Sequence, residues 1–143
     1  MKEISAGGVV YRKRDGEISL LMIKDRFGKV TVAKGKQEPG ETLMQTAIRE
    51  IEEETGIKGE LGPLLEVVHY TYQHPIQQIL IEKEVHYYLV KALTDQVTVQ
   101  VEEIDAVQWL KPEAAWEIHE QAGYENNRSV LRKALETLGI QVI

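Results

Sequence analysis

The chain has no cysteine among its 143 residues. Disulfides, thiolate nucleophiles and zinc–cysteine sites are thereby excluded. It also lacks long apolar runs, and nothing approaches the roughly 20 residues that a membrane-spanning helix needs. The opening stretch, "MKEISAGGVVYRKRDGE", has no signal-peptide core. Basic charge is in deficit, since 17 Lys and Arg face 23 Asp and Glu, for a formal net charge of -6. Binding to a nucleic acid polymer needs a basic footprint, so that partner class is set aside. A cytoplasmic protein without a membrane partner is the expectation. No internal repeat, low-complexity tract or Pro/Ser-rich linker interrupts the chain, so one domain over residues 1–143 is expected. The histidines, at 69, 74, 86 and 119, show no metal-ligand spacing, and His69 and His86 read as sheet residues. No nucleophile–base pair stands out.

What remains is an ordinary globular composition, 43% hydrophobic and 28% charged, in a chain long enough to bury a core. Residues 3–12 read as a strand, with Gly7 and Gly8 marking a bulge or a close backbone approach. The nearly continuous apolar run at 18–25 predicts a buried strand, and 30–33 a short one. Residues 34–41 read as a Gly- and Pro-containing loop. A helix follows from Glu41 or Thr42 to Thr55, with Leu43, Ala47, Ile48 and Ile51 as its core stripe and Gly56 as its stop. Strands are expected at 63–73, 79–93 and 101–110. Helices are expected at 112–119 and 126–138. Strands and helices alternate irregularly, which suggests a mixed sheet with helices on its faces.

The helix ends in acid: Glu50, Glu52, Glu53 and Glu54. A solvated face is the bland explanation. However, Glu50, Glu53 and Glu54 stand at i, i+3 and i+4 and so share one face. Their mutual repulsion destabilises a helix, and so does their place near its C-terminus, where the macrodipole disfavours anions. A hard divalent cation with oxygen ligands would compensate both effects, and could also bridge an acidic site to a phosphorylated substrate.

Gly35, Glu41, Arg49, Glu50, Ile51, Glu53, Glu54, Gly56 and Ile57 complete a spaced pattern, Gly-x5-Glu-x7-Arg-Glu-aliphatic-x-Glu-Glu-x-Gly-aliphatic. At roughly 7% usage per residue type, its seven specified positions would match by chance on the order of once in a million such chains. The chain resembles the Nudix (MutT-like) family, whose box this is. The resemblance implies an α/β/α sandwich with a mixed central β-sheet. It implies hydrolysis of a nucleoside diphosphate linked to another group X, through water attack on the pyrophosphate, with magnesium as cofactor or manganese in its place.

It also implies roles. Glu50, Glu53 and Glu54 resemble the metal-binding carboxylates, with the carbonyl of Gly35 as a further ligand. Glu50 or Glu53 would orient or deprotonate water. Glu41 and Arg49 resemble the pair tying loop to helix, while Gly40 and Gly56 serve backbone geometry. Glu103, with Glu102 as the near alternative, resembles a glutamate six residues before a tryptophan, here Trp109, that adds a metal ligand or acts as general base. Lys34 and Lys36 are candidate phosphate contacts. Tyr72 stands about where members cleaving dinucleoside polyphosphates carry a tyrosine, and Tyr87 resembles a base-stacking tyrosine. Ala33 and Val30 depart from that branch, which carries proline and tryptophan there. The expected partner is a small nucleotide or other phosphorylated molecule. A dinucleoside polyphosphate such as diadenosine tetraphosphate leads. The alternatives are a nucleoside triphosphate, ADP-ribose, a diphosphoinositol polyphosphate, or a non-catalytic nucleotide-binding module. No segment demands a homodimer, and none forbids one.

Overall fold

A computed structural model describes residues 1–99 and 101–141. Seven strands form one mixed sheet: β1 (Lys2–Arg14), β2 (Glu17–Asp25), β3 (Val30–Thr31), β4 (Lys34–Lys36), β5 (Gly59–Gln73), β6 (Leu80–Ala92) and β7 (Ile104–Leu110). The main path runs β3-β2-β1-β6-β5, with β4 paired to β1 and β7 to β2. Only β1 and β6 are parallel, and every other pairing of these strands is antiparallel.

Helices cover both faces. On one side lies α1 (Leu43–Thr55), packed through Ile48 and Ile51 onto Val10, Leu21, Ile23 and Val90. On the other, α2 (Pro112–Ala122) and α3 (Arg128–Thr137) bury Trp116, Val130, Leu131 and Leu135 against Val9, Leu20, Val85 and Tyr87. Among the described residues, no helix is long and apolar enough to cross a membrane.

Both ends of α1 are fixed by local chemistry. Thr42 is the N-cap: its hydroxyl accepts from the Gln45 amide, and the Gln45 side chain accepts from the Thr42 amide in return. Gly56 follows the helix with φ 78°, a left-handed conformation that glycine adopts without strain.

Several boundaries differ from the sequence expectation. Lys34–Lys36 is a strand within the expected loop, because it pairs with Ser5–Gly7, far away in sequence. The third strand is correspondingly short. β5 begins at Gly59 rather than residue 63, with register shifts between Leu61 and Glu66 that absorb Gly62 and Pro63. β7 begins at Ile104 rather than 101. A 3₁₀ turn at Glu125–Asn127 precedes α3, which the sequence had placed from 126.

Candidate active site

Arg49 organises the acidic end of α1. Its Nε and Nη2 donate to the two carboxylate oxygens of Glu41, at 2.5 and 2.9 Å. Nη1 donates to Glu50 at 2.8 Å and to Glu53 at 3.2 Å, and Nη2 also reaches the Lys36 carbonyl at 3.0 Å. One planar fork therefore ties loop, strand and helix together, a task that suits arginine and not lysine. Glu41 accepts further bonds from the Glu38 amide and the Thr46 hydroxyl. With Arg49 as the largest cause, this holds the Glu41 carboxyl down to about 2.

The acidic face divides. Glu50 and Glu54, one turn apart, point toward the sheet, while the Glu53 side chain is 53% exposed. Glu50 packs directly over Gly35: a Cβ at residue 35 would lie 2.0 Å from Glu50 Cδ. Burial raises the Glu50 carboxyl despite Arg49. Burial, with repulsion from Glu50, pushes Glu54 up to about 8, although Lys34 opposes the shift.

Glu54 opens into a cleft of about 390 Å³. Lys34 and Glu103 share this cleft, as do Asp25, Thr31, Tyr70, Tyr87, Tyr124, Asn126 and Asn127. The Lys34 ammonium is lowered by burial and by Lys83, against the pull of Glu54, Glu50 and Glu3. A lysine so desolvated beside carboxylates is a strong point charge for an anionic ligand. A larger hollow of about 720 Å³ lies along the outer side of α1 near Met44, Ile48 and Glu52. Arg49 and Glu53 border it, but Glu54, Lys34 and Glu103 come together only in the smaller cleft.

Some expected residues lie elsewhere. Glu103, not Glu102, lines the cleft. Lys36 is exposed and paired with Glu3 at 3.0 Å, and the Tyr72 hydroxyl donates to the same carboxylate at 2.9 Å. Neither lines the cleft, where Tyr70 stands instead. The stacking role expected of Tyr87 does not survive its placement. The ring is 1% exposed within the core, and its hydroxyl accepts from Asn127 at 3.0 Å. A face so covered has no room for a base. Gly40 takes φ 81° at the turn into the helix.

The convergence expected of Glu50, Glu53 and Glu54 is also absent as placed. Among the described residues, no group of three carboxylate or imidazole side chains stands close enough to hold a metal ion. The reason is Arg49, which draws Glu50 and Glu53 to its guanidinium while Glu54 turns into the cleft. The donor chemistry still fits a hard divalent ion. All the donors are oxygens, and half-buried Glu54 and Glu50 repel each other with incomplete compensation.

The sequence reading missed Asp25, Tyr70, Tyr124, Asn126 and Asn127. Asp25 accepts a short hydrogen bond from the Tyr124 hydroxyl and two more from the Phe27 and Lys29 amides. Asn127 carried a usable signal. It occupies the N-cap of α3 yet makes no capping bond. Its side chain turns inward, accepting from Thr31 at 2.9 Å and donating to Tyr87.

The family model for the NUDIX domain matches residues 1–134. The asymmetrical bis(5'-nucleosyl)-tetraphosphatase of Caenorhabditis elegans is 35% identical over 132 residues, which is 90% of this chain and 91% of that protein. The 8-oxo-(d)GTP phosphatase of Mycolicibacterium smegmatis is 33% identical over 127 residues, covering 89% of this chain and 36% of that protein. The putative mutator protein MutT4 of Mycobacterium tuberculosis is 36% identical over 115 residues, and the chain spans less than half the length of it and of the M. smegmatis phosphatase. A crystal structure of a C. elegans Ap4A hydrolase binary complex superposes with TM-score 0.73 at 29% identity, over 96% of this chain and 98% of that one.

Proposed function

The chain belongs to the NUDIX domain family, and from that premise we propose that it hydrolyses a pyrophosphate bond in a nucleoside diphosphate linked to a second group. The leading substrate class is a dinucleoside polyphosphate such as diadenosine tetraphosphate. One observation carries the reading: Lys34, Glu54 and Glu103 face a single cleft beside the Arg49-organised acidic helix. The match to the C. elegans tetraphosphatase over nine-tenths of both proteins supports the substrate class.

Glu50, Glu53 and Glu54, with Glu103 and the carbonyl of Gly35, would hold the divalent ion that Nudix hydrolases generally use. Their oxygen donors suit magnesium, with manganese as the alternative. When bound, such an ion polarises phosphoryl oxygens and acidifies water. The chain's own residues do the rest. Lys34 places a positive charge against the phosphates from a desolvated position. Arg49 holds Glu50 and Glu53 on its guanidinium, so a bound ion would have to draw them from it toward Glu54. Tyr70, Tyr124 and Asn126 supply aromatic and amide groups suited to a nucleoside. A nucleoside triphosphate is the second reading, favoured by the M. smegmatis relative's name.

The test is a hydrolysis panel with magnesium, its products identified by mass. Diadenosine tetraphosphate, 8-oxo-dGTP, ADP-ribose and a diphosphoinositol polyphosphate form the panel. Cleavage of the first, lost in Glu54→Gln, supports the proposal. An inert wild type that still binds nucleotide would instead mark a non-catalytic module. Magnesium should also raise the melting temperature of the wild type and leave that of Glu54→Gln unmoved.

A further inference from the structure

Glu3 lies in β1 with its carboxylate between three donors. Lys36 Nζ stands 3.0 Å from one oxygen, while Lys83 Nζ at 3.3 Å and the Tyr72 hydroxyl at 2.9 Å reach the other. Strand register explains the meeting. Glu3 is opposite Lys83, Lys83 is opposite Tyr70, and Tyr72 stands two residues beyond Tyr70 along β5. Lys36 is opposite Ser5, the next residue on the same face of β1. Lys83 is only 9% exposed, and the Glu3 side chain 14%.

The cluster adjoins the cleft through Tyr70 and Lys34, which both line it and both feel the Glu3 charge. Within the cluster two ammonium groups, Lys36 and Lys83, meet the single carboxylate of Glu3, while Lys34 is also drawn to Glu54 and Glu50. Two ammonium groups and a phenol converging on one pair of anionic oxygens are also the donors a phosphate group takes.

We propose that Glu3 occupies a phosphate seat: it is a built-in counter-anion at the outer end of the phosphate path, displaced only by a ligand whose phosphate chain extends past Lys34. The inference rests on the polyphosphate reading above. A short phosphate chain leaves Glu3 in place. A longer one must expel the carboxylate before Lys36, Lys83 and Tyr72 can turn to it. Glu3 thus sets how strongly the site discriminates between chain lengths, through like-charge repulsion rather than through a new attraction.

Inorganic tripolyphosphate, without metal, is the probe, and titration calorimetry the readout. Glu3→Gln should bind it about tenfold more tightly than wild type, because one nearby like charge is gone. Orthophosphate affinity should change less. Equal or weaker tripolyphosphate binding by the variant, or none by either protein, overturns the proposal. A second measurement avoids dependence on the variant's folding. In wild type carrying ¹³C-labelled glutamate, the Glu3 carboxyl resonance should move in step with tripolyphosphate saturation. A resonance unmoved at saturation overturns it equally. Neither readout involves hydrolysis. A chain inert toward nucleotides would therefore count against the enzymatic reading alone, and an active chain with an unmoved Glu3 against this inference alone.

Discussion

The carboxylate of Glu50 rests on the α-carbon of Gly35, in the space that any side chain at residue 35 would fill. Glycine is needed there for room rather than for a left-handed backbone, since no positive φ is found at Gly35. Gly35→Ala should therefore fold and still displace Glu50 from its bond to Arg49. Nucleotide hydrolysis should fall about 100-fold in kcat/KM, the scale of a misplacement near 1 Å. Steady-state kinetics beside a thermal melt check this, and the melt should move little.

Arg49 serves four carboxylates and one carbonyl at once. Lysine keeps the charge but loses the fork. Arg49→Lys should lower stability through the severed charged bonds to Glu41. Denaturant unfolding measures it. Wild-type stability in this variant would show that charge alone, without geometry, holds the site.

Acid should weaken the fold through Glu3. Burial pushes its carboxyl up, but bonds from Lys36, Tyr72 and Lys83 outweigh this and bring it from 4.5 down to about 2. A pKa lowered on folding means that the ionised form favours the native state. The stabilisation is complete above 4.5 and drains away as pH falls toward 2. Urea midpoints across that window should drop in wild type and run flatter in Glu3→Gln.

Asn127 joins the sheet to the start of α3 through Thr31 and Tyr87. At 4% exposure, its loss leaves the buried Tyr87 hydroxyl and the half-buried Thr31 hydroxyl without their partner. Asn127→Ala should destabilise by about 2 kcal/mol. A double-mutant cycle with Tyr87→Phe should show coupling, since the two substitutions remove one shared bond.

The box helix was legible in the sequence because its signals are local: a periodic stripe, a capping threonine and a closing glycine. β4 was not, because Lys34–Lys36 carries a glycine and no apolar alternation, and its strand character comes from β1 across some thirty residues. The pairing of Glu41 with Arg49 could be anticipated from the box, but not that the same guanidinium would also take Glu50 and Glu53. Tyr87 and Tyr70 illustrate the same limit. Both are strand tyrosines, and only the packing of α3 decides that the first is sealed under Asn127 while the second borders the cleft. Asp25 comes from the end of β2 and Tyr124 and Asn126 from the turn before α3, with no shared motif. Spacing rules have no hold on them.

The parallel pairing of β1 with β6, from Lys2 opposite Glu82 to Tyr11 opposite Lys91, has a consequence for how the molecule comes into being. During synthesis the box helix leaves the ribosome well before the strand that closes the sheet beside β1. Glu3 must wait for Lys83, and Gly7 for Tyr87. Such distant partnering is slow, and it leaves strand edges open meanwhile. A nascent chain halted before β6 would carry every residue of the box and yet lack Val90 beneath the helix and Lys83 beside Glu3.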